Sequence, residues 1–244
     1  MPTPRLYDDL AYLWPLLSPP EHYAAETATV RRVIDARMGP AAPGQRRTVL
    51  ELGAGGGHTL HYLREDFDCV ALDLSEPMLA NCRALNPDVE TVVGDMRTAR
   101  LGRTFDAVLI HDAIDYMTTA DDVRATLDTA AAHLAPGGVV LIAPTYTADA
   151  FPEHETEQDH RANDDVALTY FGYVHDPDPA DTTFELILLY IIKQPPTGPA
   201  TVVEDRHTCG LFSVQAWATM MHDAGFDVDW HEEPAWSLFV GVRQ

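Results

Sequence analysis

A chain of 244 residues, 46% of them hydrophobic and 22% charged, suits one large globular domain with room for an insertion. Its 38 acidic residues against 16 basic ones give a formal net charge of −22, which argues against nucleic acid and anionic membranes as partners. Three scattered cysteines, Cys69, Cys82 and Cys209, argue against a disulfide framework and a structural zinc site.

The start, MPTPRLYDDLAYLWPLL, is interrupted by Arg5, Asp8, Asp9 and Pro15, so neither a secretory leader nor a membrane span is expected. The chain is expected to work in the cytoplasm. From Thr48 to Pro144 short β-branched runs alternate with longer helical patterns, as in βαβ units around a parallel sheet. Thr48–Leu52 reads as the first strand, and the glycine loop Gly53–Gly57 opens a helix over His58–Glu65. Cys69–Leu74 is the second strand, and Ser75 caps the next helix with Pro77 in its first turn. Val89–Val93 and Phe105–His111 follow as strands, then an amphipathic helix over Asp121–Leu134, stopped by Pro136-Gly137-Gly138, and the strand Val139–Ala143.

Beyond Pro144 the character changes. Thr145–Asp165 is acidic and polar and reads as a mobile loop. Val166–Val174 and Thr182–Lys193 are aromatic and β-branched around a turn-rich DPDPAD, which predicts an antiparallel hairpin, and Thr201–Thr208 is a further candidate strand. Ser213 begins a helix ending at Gly225, in which Trp217, Met220 and Met221 fall at core spacing. Strands near Asp227–His231 and Ser237–Val242 close the chain. The expected division is an N-terminal helical lid at 1–40, a ligand-binding core at 41–145, an inserted antiparallel β layer over the active site at 146–212, and a final helix and strands of the core at 213–244.

The chemistry concentrates at strand ends. Glu51-Leu-Gly53-Ala-Gly55-Gly-Gly57 lies between a buried strand and a helix, where glycine lets the backbone approach a ligand. A dinucleotide fingerprint starting at Gly53 would need glycine or alanine where His58 stands, and no Gly-Lys-Ser/Thr marks a phosphate loop. Asp73, 20 residues after Gly53 at the end of the second strand, is placed to accept two ribose hydroxyls. The acidic turn Gly94-Asp95-Met96 ends the third strand, where Asp95 could accept an adenine amino group and Met96 pack on the ring.

The ordered series ELGAGGG, ALDLSEPML, GDM, FDAVLIHDAIDYM and HLAPGGVVLIAP resembles the motifs of class I S-adenosylmethionine-dependent methyltransferases over residues 48–144. That resemblance implies an α/β, Rossmann-like class I methyltransferase sheet with helices on both faces, here with an inserted antiparallel β layer. It implies S-adenosylmethionine as cofactor and S-adenosylhomocysteine as product. YDDLAYLW, EHYAAE and SLFVGV further resemble the amino-sugar N,N-dimethyltransferases, which implies a small-molecule amine acceptor and is compatible with a homodimer. By this resemblance Glu51, Gly53, Ala54 and Gly55 would line the methionine moiety and Asp73 would hold the ribose. Leu74, Met78, Asp95 and Met96 would surround the adenine, and Tyr12 and Tyr23 would close over the cofactor from the lid.

Methyl transfer from a sulfonium needs alignment more than functional groups, but an amine must arrive neutral, so a base titrating near 7 would help. His111, at the end of the fourth strand and followed by Asp112 and Asp115, is the candidate base, substrate contact or cofactor contact. Tyr146, after the fifth strand, is the second catalytic candidate, and His207 in the inserted layer could also face the cleft. No metal is expected: His58 and His61 want a third ligand, and His154, Glu155, Asp159 and His160 read as solvated. O-methylation of a carboxylate or hydroxyl is the nearest alternative. A non-catalytic cofactor-binding protein is the next, and an oxidoreductase using NAD is disfavoured by His58.

Overall fold

Side chains alternate along a strand, so β1 (Arg47–Leu52) sends Leu50 and Leu52 to one face and Val49 to the other, and both faces are apolar. Such a strand must be covered on both sides. The computed structural model, which describes residues 4–244 apart from Pro40, Pro43, Pro234 and Ala235, places it inside a seven-stranded sheet. Its parallel part contains β2 (Phe67–Asp73), β3 (Glu90–Val93), β4 (Phe105–His111) and β5 (Leu134–Ala143), in the order β5-β4-β1-β2-β3. The chain leaves β1 and β4 towards opposite sides of the sheet, which opens a crevice above their carboxyl ends.

Helices cover both faces. The short α1 (Trp14–Leu17) belongs to the N-terminal segment, whereas α2 (Ala24–Met38), α3 (His58–Leu63) and α4 (Glu76–Leu85) bury Ile34, Leu60 and Leu79 against Val49, Ala71 and Leu109. On the other face α5 (Ala120–Ala132) and α6 (Val214–Asp223) bury Leu127, Trp217, Met220 and Met221 against Leu50, Val108 and Ile142. Ser75 and Ser213 cap α4 and α6, accepting the backbone N–H of Met78 (3.1 Å) and Ala216 (3.2 Å). None of the described helices is long and apolar enough to cross a membrane.

A second, antiparallel sheet is formed by β6 (Thr156–Ala162), β7 (Ala167–His175), β8 (Thr183–Lys193) and β9 (Ala200–Gly210). The predicted hairpin is β7–β8, but the predicted mobile loop contains a strand: Thr156 pairs with Tyr173 and Ala162 with Ala167. The sequence TEQDHRA hides it because an edge strand takes its order from a neighbour's backbone and can stay polar on both faces. The fifth strand also begins earlier than its apolar run, since Leu134 already pairs with Phe105 and an irregular register over Ala135–Gly138 carries the chain to Val139. The chain closes with β10 (Phe226–Glu233) and β11 (Trp236–Arg243), which extend the main sheet antiparallel from β5.

The inner face of the second sheet and the N-terminal turns share a core of Leu6, Leu10, Leu13, Leu168, Tyr190 and Val203. Buried Asp205 fastens them, accepting the backbone N–H groups of Arg5 (3.0 Å) and Leu6 (2.8 Å) and lying 3.1 Å from His207 Nε2. A cleft is thereby roofed by the N-terminal segment and walled on one side by the second sheet.

Candidate active site

The cleft occupies about 1080 Å³ above the carboxyl ends of β1, β2, β4 and β5. Its floor is the loop after β1. Gly53 sits there at φ +76°, and a Cβ would lie 2.2 Å from the Cβ of Ala113 and 2.8 Å from Met96 Cε. Gly56 faces the roof, where a Cβ would meet the Trp14 indole at 2.6 Å. The loop is therefore bare backbone because core and roof both press on it.

Two carboxylates flank this loop. Asp73 accepts the N–H of Gly55 on Oδ2 (2.7 Å) and of Ser75 on Oδ1 (2.8 Å), so each oxygen keeps a lone pair towards the cleft. Burial pushes its pKa up, and the backbone donors pull against that shift. Glu51 is 3% exposed, and its Oε2 has no partner within the protein. Burial pushes its pKa up to about 8, although His111 and Thr59 favour the anion. A buried carboxyl with an orphaned oxygen beside a bare loop fits the ammonium of an amino acid moiety, and Asp73 fits a ribose diol. Ala54, Leu74, Met78 and Met96 line the same wall and offer apolar contact to an adenine.

Asp95 also lines the wall, but both its oxygens are held by Arg97 (2.7–3.2 Å), whose guanidinium reaches on to Asp122 (2.9 Å). Its pKa is correspondingly lowered, by the Arg97 hydrogen bonds first. The expected acceptor of an adenine amino group therefore lines the pocket as one half of an ion pair.

The expected lid tyrosines separate. Tyr23 lines the cleft, its hydroxyl 2.9 Å from Ser18 Oγ and its ring 5.9 Å from His111. Tyr12 does not line the cleft: it is 47% exposed, because its turn buries Ala11 and Leu13 and turns the residue between them outward. Tyr7 and Trp14 take that place. Trp14 stacks on His58 and donates to its Nδ1 (3.0 Å), which gives His58 a packing role, and burial lowers that histidine's pKa to about 4. Among the described residues no cluster of His, Cys, Asp and Glu is arranged for a metal.

His111 does not have the surroundings of a base. Nε2 lies 3.0 Å from Glu26 Oε2 and Nδ1 lies 3.5 Å from Asp112 Oδ2, so both nitrogens face carboxylates. Burial disfavours the imidazolium, but Asp112, Glu26 and Glu51 outweigh it and the pKa rises to about 9. The carboxylates around it thus favour the protonated ring near neutrality. The sequence does not reveal this because Glu26 comes from α2, remote in the chain.

The other end of the cleft lies under the second sheet. Tyr146 faces it, packed on Phe151 and Phe184, and its hydroxyl donates to Glu155 Oε2 (2.9 Å). His207 is buried, with Nδ1 2.7 Å from the Tyr116 hydroxyl, which donates to the hydroxyl of Tyr7 (3.0 Å). A residue given little weight in the sequence stands out here. Asp115 is 4% exposed on the cleft wall, with Oδ2 accepting the Thr145 N–H (3.2 Å) and Oδ1 unpartnered. Its place just past a parallel strand's carboxyl end was the available signal. Neighbouring Asp112 has φ 51° and ψ −41°, a positive φ that a side chain other than glycine rarely adopts and that bends the chain there.

Comparison with known proteins agrees with this geometry. A family model described as a methyltransferase domain matches residues 49–138. The dTDP-3-amino-3,4,6-trideoxy-alpha-D-glucopyranose N,N-dimethyltransferase of Streptomyces venezuelae is 30% identical over 224 residues, covering 90% of this chain and 91% of that protein. The dTDP-3-amino-3,6-dideoxy-alpha-D-glucopyranose N,N-dimethyltransferase of Streptomyces fradiae is 31% identical over 75% of this chain and 71% of its own. Among solved structures, the sugar N-methyltransferase KedS8 of Streptoalloteichus superposes with a TM-score of 0.83 at 26% identity, covering 97% of this chain and 92% of that one.

Proposed function

The chain belongs to the S-adenosylmethionine-dependent methyltransferases, and from that premise we propose that it methylates the amine nitrogen of an amino sugar. The observation that carries the reading is one cleft joining the Glu51–Asp73 cradle to a pocket in which Asp115 presents an unpartnered oxygen. The named activities of the curated relatives support the same acceptor class.

Bound S-adenosylmethionine supplies a methyl group on a sulfonium that a nitrogen lone pair can displace. Glu51 and the backbone of Gly53, Ala54 and Gly55 hold the methionine end, and Asp73 holds the ribose. Leu74, Met78 and Met96 flank the adenine, with the Asp95–Arg97 pair at its border. Tyr7, Trp14 and Tyr23 exclude water from above, and Tyr146 bounds the acceptor. Catalysis is then mainly alignment of nitrogen with methyl group in a site shut off from solvent. The expected lid at 1–40 shortens to the N-terminal turns of residues 4–23, because α2 packs on the main sheet as part of the cofactor core; 146–212 serve as acceptor cover and 213–244 complete the core.

Incubation with S-adenosylmethionine and a panel of amino sugars is expected to yield S-adenosylhomocysteine and products heavier by one or two methyl groups. Mass gain only on hydroxyl or carboxylate acceptors would overturn the reading. His111→Gln is expected to keep kcat within about tenfold of the parent, whereas loss of a true general base costs about 10²–10⁴-fold. That histidine's ion pairs stabilise the fold fully below pH 6.5, its unfolded pKa, and the contribution is lost as pH rises through about 9. The variant's melting point should therefore fall further below the parent's at pH 6 than at pH 10.

We also propose a cytoplasmic homodimer. The outer face of the second sheet exposes Phe171, Ile191 and Val202 beside partly covered Tyr173, Ile187 and Leu189, an apolar patch that water disfavours. Sedimentation is expected to give twice the chain mass for the parent and a monomer for Ile191→Lys combined with Val202→Lys. A monomeric parent at micromolar concentration would sink the proposal.

A further inference from the structure

Four side chains outside the cofactor cradle form one connected line. It starts at Asp205, buried on β9, which accepts the backbone N–H groups of Arg5 (3.0 Å) and Leu6 (2.8 Å) and lies 3.1 Å from His207 Nε2. Nδ1 of that ring is 2.7 Å from the Tyr116 hydroxyl. Tyr116 commits its one hydrogen to the hydroxyl of Tyr7 (3.0 Å), so its oxygen is left to accept from Nδ1. From His207 onward the hydrogens therefore run towards Tyr7. The Tyr7 hydroxyl lines the cleft, and its own hydrogen has no acceptor among the described residues.

The line is held firmly. His207 is 1% exposed and packs its ring against Tyr7 and Tyr116, with centroids 5.8 and 6.0 Å away. Burial works against an ionised Asp205, but His207 and the two backbone donors outweigh it, and its pKa is lowered. Burial also pushes the Tyr7 and Tyr116 phenols far up, so both stay neutral donors. Hydrogen bonds in series polarise one another, which strengthens the last donor.

Tyr7 is also the residue at which the two halves of the cleft meet. Its carbonyl accepts from Ser75 Oγ, two residues beyond the ribose carboxylate Asp73, while its hydroxyl is held by Tyr116 and, through it, by β9. Methyl transfer takes place where those halves meet, so a ligand oxygen that reaches the Tyr7 hydroxyl lies close to the attacking nitrogen. A donor aimed at the nitrogen itself would occupy the lone pair that attacks the methyl group, which makes an oxygen the productive partner. We infer that Tyr7 donates to a hydroxyl oxygen on the carbon next to the amine carbon of the acceptor sugar, and that His207 is the positioning residue that aims it. The acceptor is then a vicinal amino alcohol, gripped beside its nitrogen and free to present the lone pair. This rests on the amino-sugar reading above.

The test compares two thymidine-diphosphate-linked amino sugars, one with a hydroxyl next to the amine carbon and one with hydrogen there, each with S-adenosylmethionine and the intact chain. The parent is expected to favour the hydroxylated acceptor about tenfold in kcat/KM, the contribution of one well-made hydrogen bond. Tyr7→Phe should abolish that preference by losing activity on the hydroxylated acceptor alone, with the S-adenosylmethionine Kd within about twofold of the parent. His207→Phe should reduce the preference in the same direction, and His207→Asn, which keeps an N–H donor near the place of Nδ1, should restore most of it. The preference is a ratio taken on one preparation, so a partly unfolded variant does not alter it, and a merely structural histidine would leave it unchanged. A parent indifferent to the hydroxyl, a preference that survives Tyr7→Phe, or a Tyr7→Phe defect confined to S-adenosylmethionine binding would overturn the inference while sparing the amino-sugar reading. A preference retained in full by His207→Phe would overturn the positioning role. Methylation of neither acceptor would remove the amino-sugar reading and this inference with it.

Discussion

Asp73→Ala is expected to weaken S-adenosylmethionine binding by two to three orders of magnitude, as read by calorimetric titration. The carboxylate has two tasks that fail together. It ties Gly55 N–H to Ser75 N–H across the mouth of the loop, and it presents its remaining lone pairs to the ribose. Hydrogen bonds to a charged group contribute about 1.5–3 kcal/mol each, so losing two to a diol costs about 3–6 kcal/mol of binding, and two to three orders of magnitude lies in the lower part of that range. The fold should survive, because Asp73 is at the rim of the sheet and Leu72 beneath it keeps its place in the core. Asp73→Asn separates the tasks: it retains one acceptor oxygen and should lose only about tenfold to thirtyfold. An alanine variant binding within threefold of the parent would remove Asp73 from the ribose.

Glu51→Gln is expected to stabilise the free protein at pH 8.5 and to weaken the cofactor complex. The folded pKa of Glu51, about 8, lies above its ordinary value of 4.5, so the native state retains a proton that the unfolded chain has released. Stability arising from this group is therefore full below pH 4.5 and declines as pH rises through about 8. The shift corresponds to about 5 kcal/mol of strain in the ionised form at alkaline pH, an amount that glutamine does not carry. Thermal unfolding from pH 6 to pH 9 should show the parent losing stability faster than Glu51→Gln. When an ammonium occupies the site the carboxyl ionises, so cofactor binding near pH 7 should release close to one proton in the parent and less in the variant. Titration in buffers of different ionisation enthalpy measures this. Equal proton release in both proteins would show that Glu51 does not face the ammonium.

The sequence exposed those features whose cause is local. A strand buried on two faces must be continuously apolar, so β1, β4 and most of β5 could be read from TVLEL, FDAVLIH and VVLIA. Ser75 and Ser213 cap helices through their own backbone neighbours, and the glycine loop is needed wherever backbone meets ligand. Strand β6 could not be read this way, because its only structural instruction is the hydrogen-bonding edge of β7.

The cofactor half of the site followed from the same local logic: Glu51, Gly53 and Asp73 lie at strand ends fixed by a pattern of period two. The acceptor half did not. His111 read as a candidate base from sequence, and tertiary structure adds Glu26 from α2 against its Nε2, which favours the imidazolium. Tyr12 and Tyr7 are equivalent as letters, and only the burial of Ala11 and Leu13 sends one to solvent and leaves the other by the cleft. Asp115 became a buried, unpartnered carboxyl only when β9 and the chain after β5 closed around it. Sequence determined which strands could exist and what they would hold at their tips. Tertiary structure decided each tip's charge, because a pKa depends on desolvation and on neighbours that the chain brings from far away.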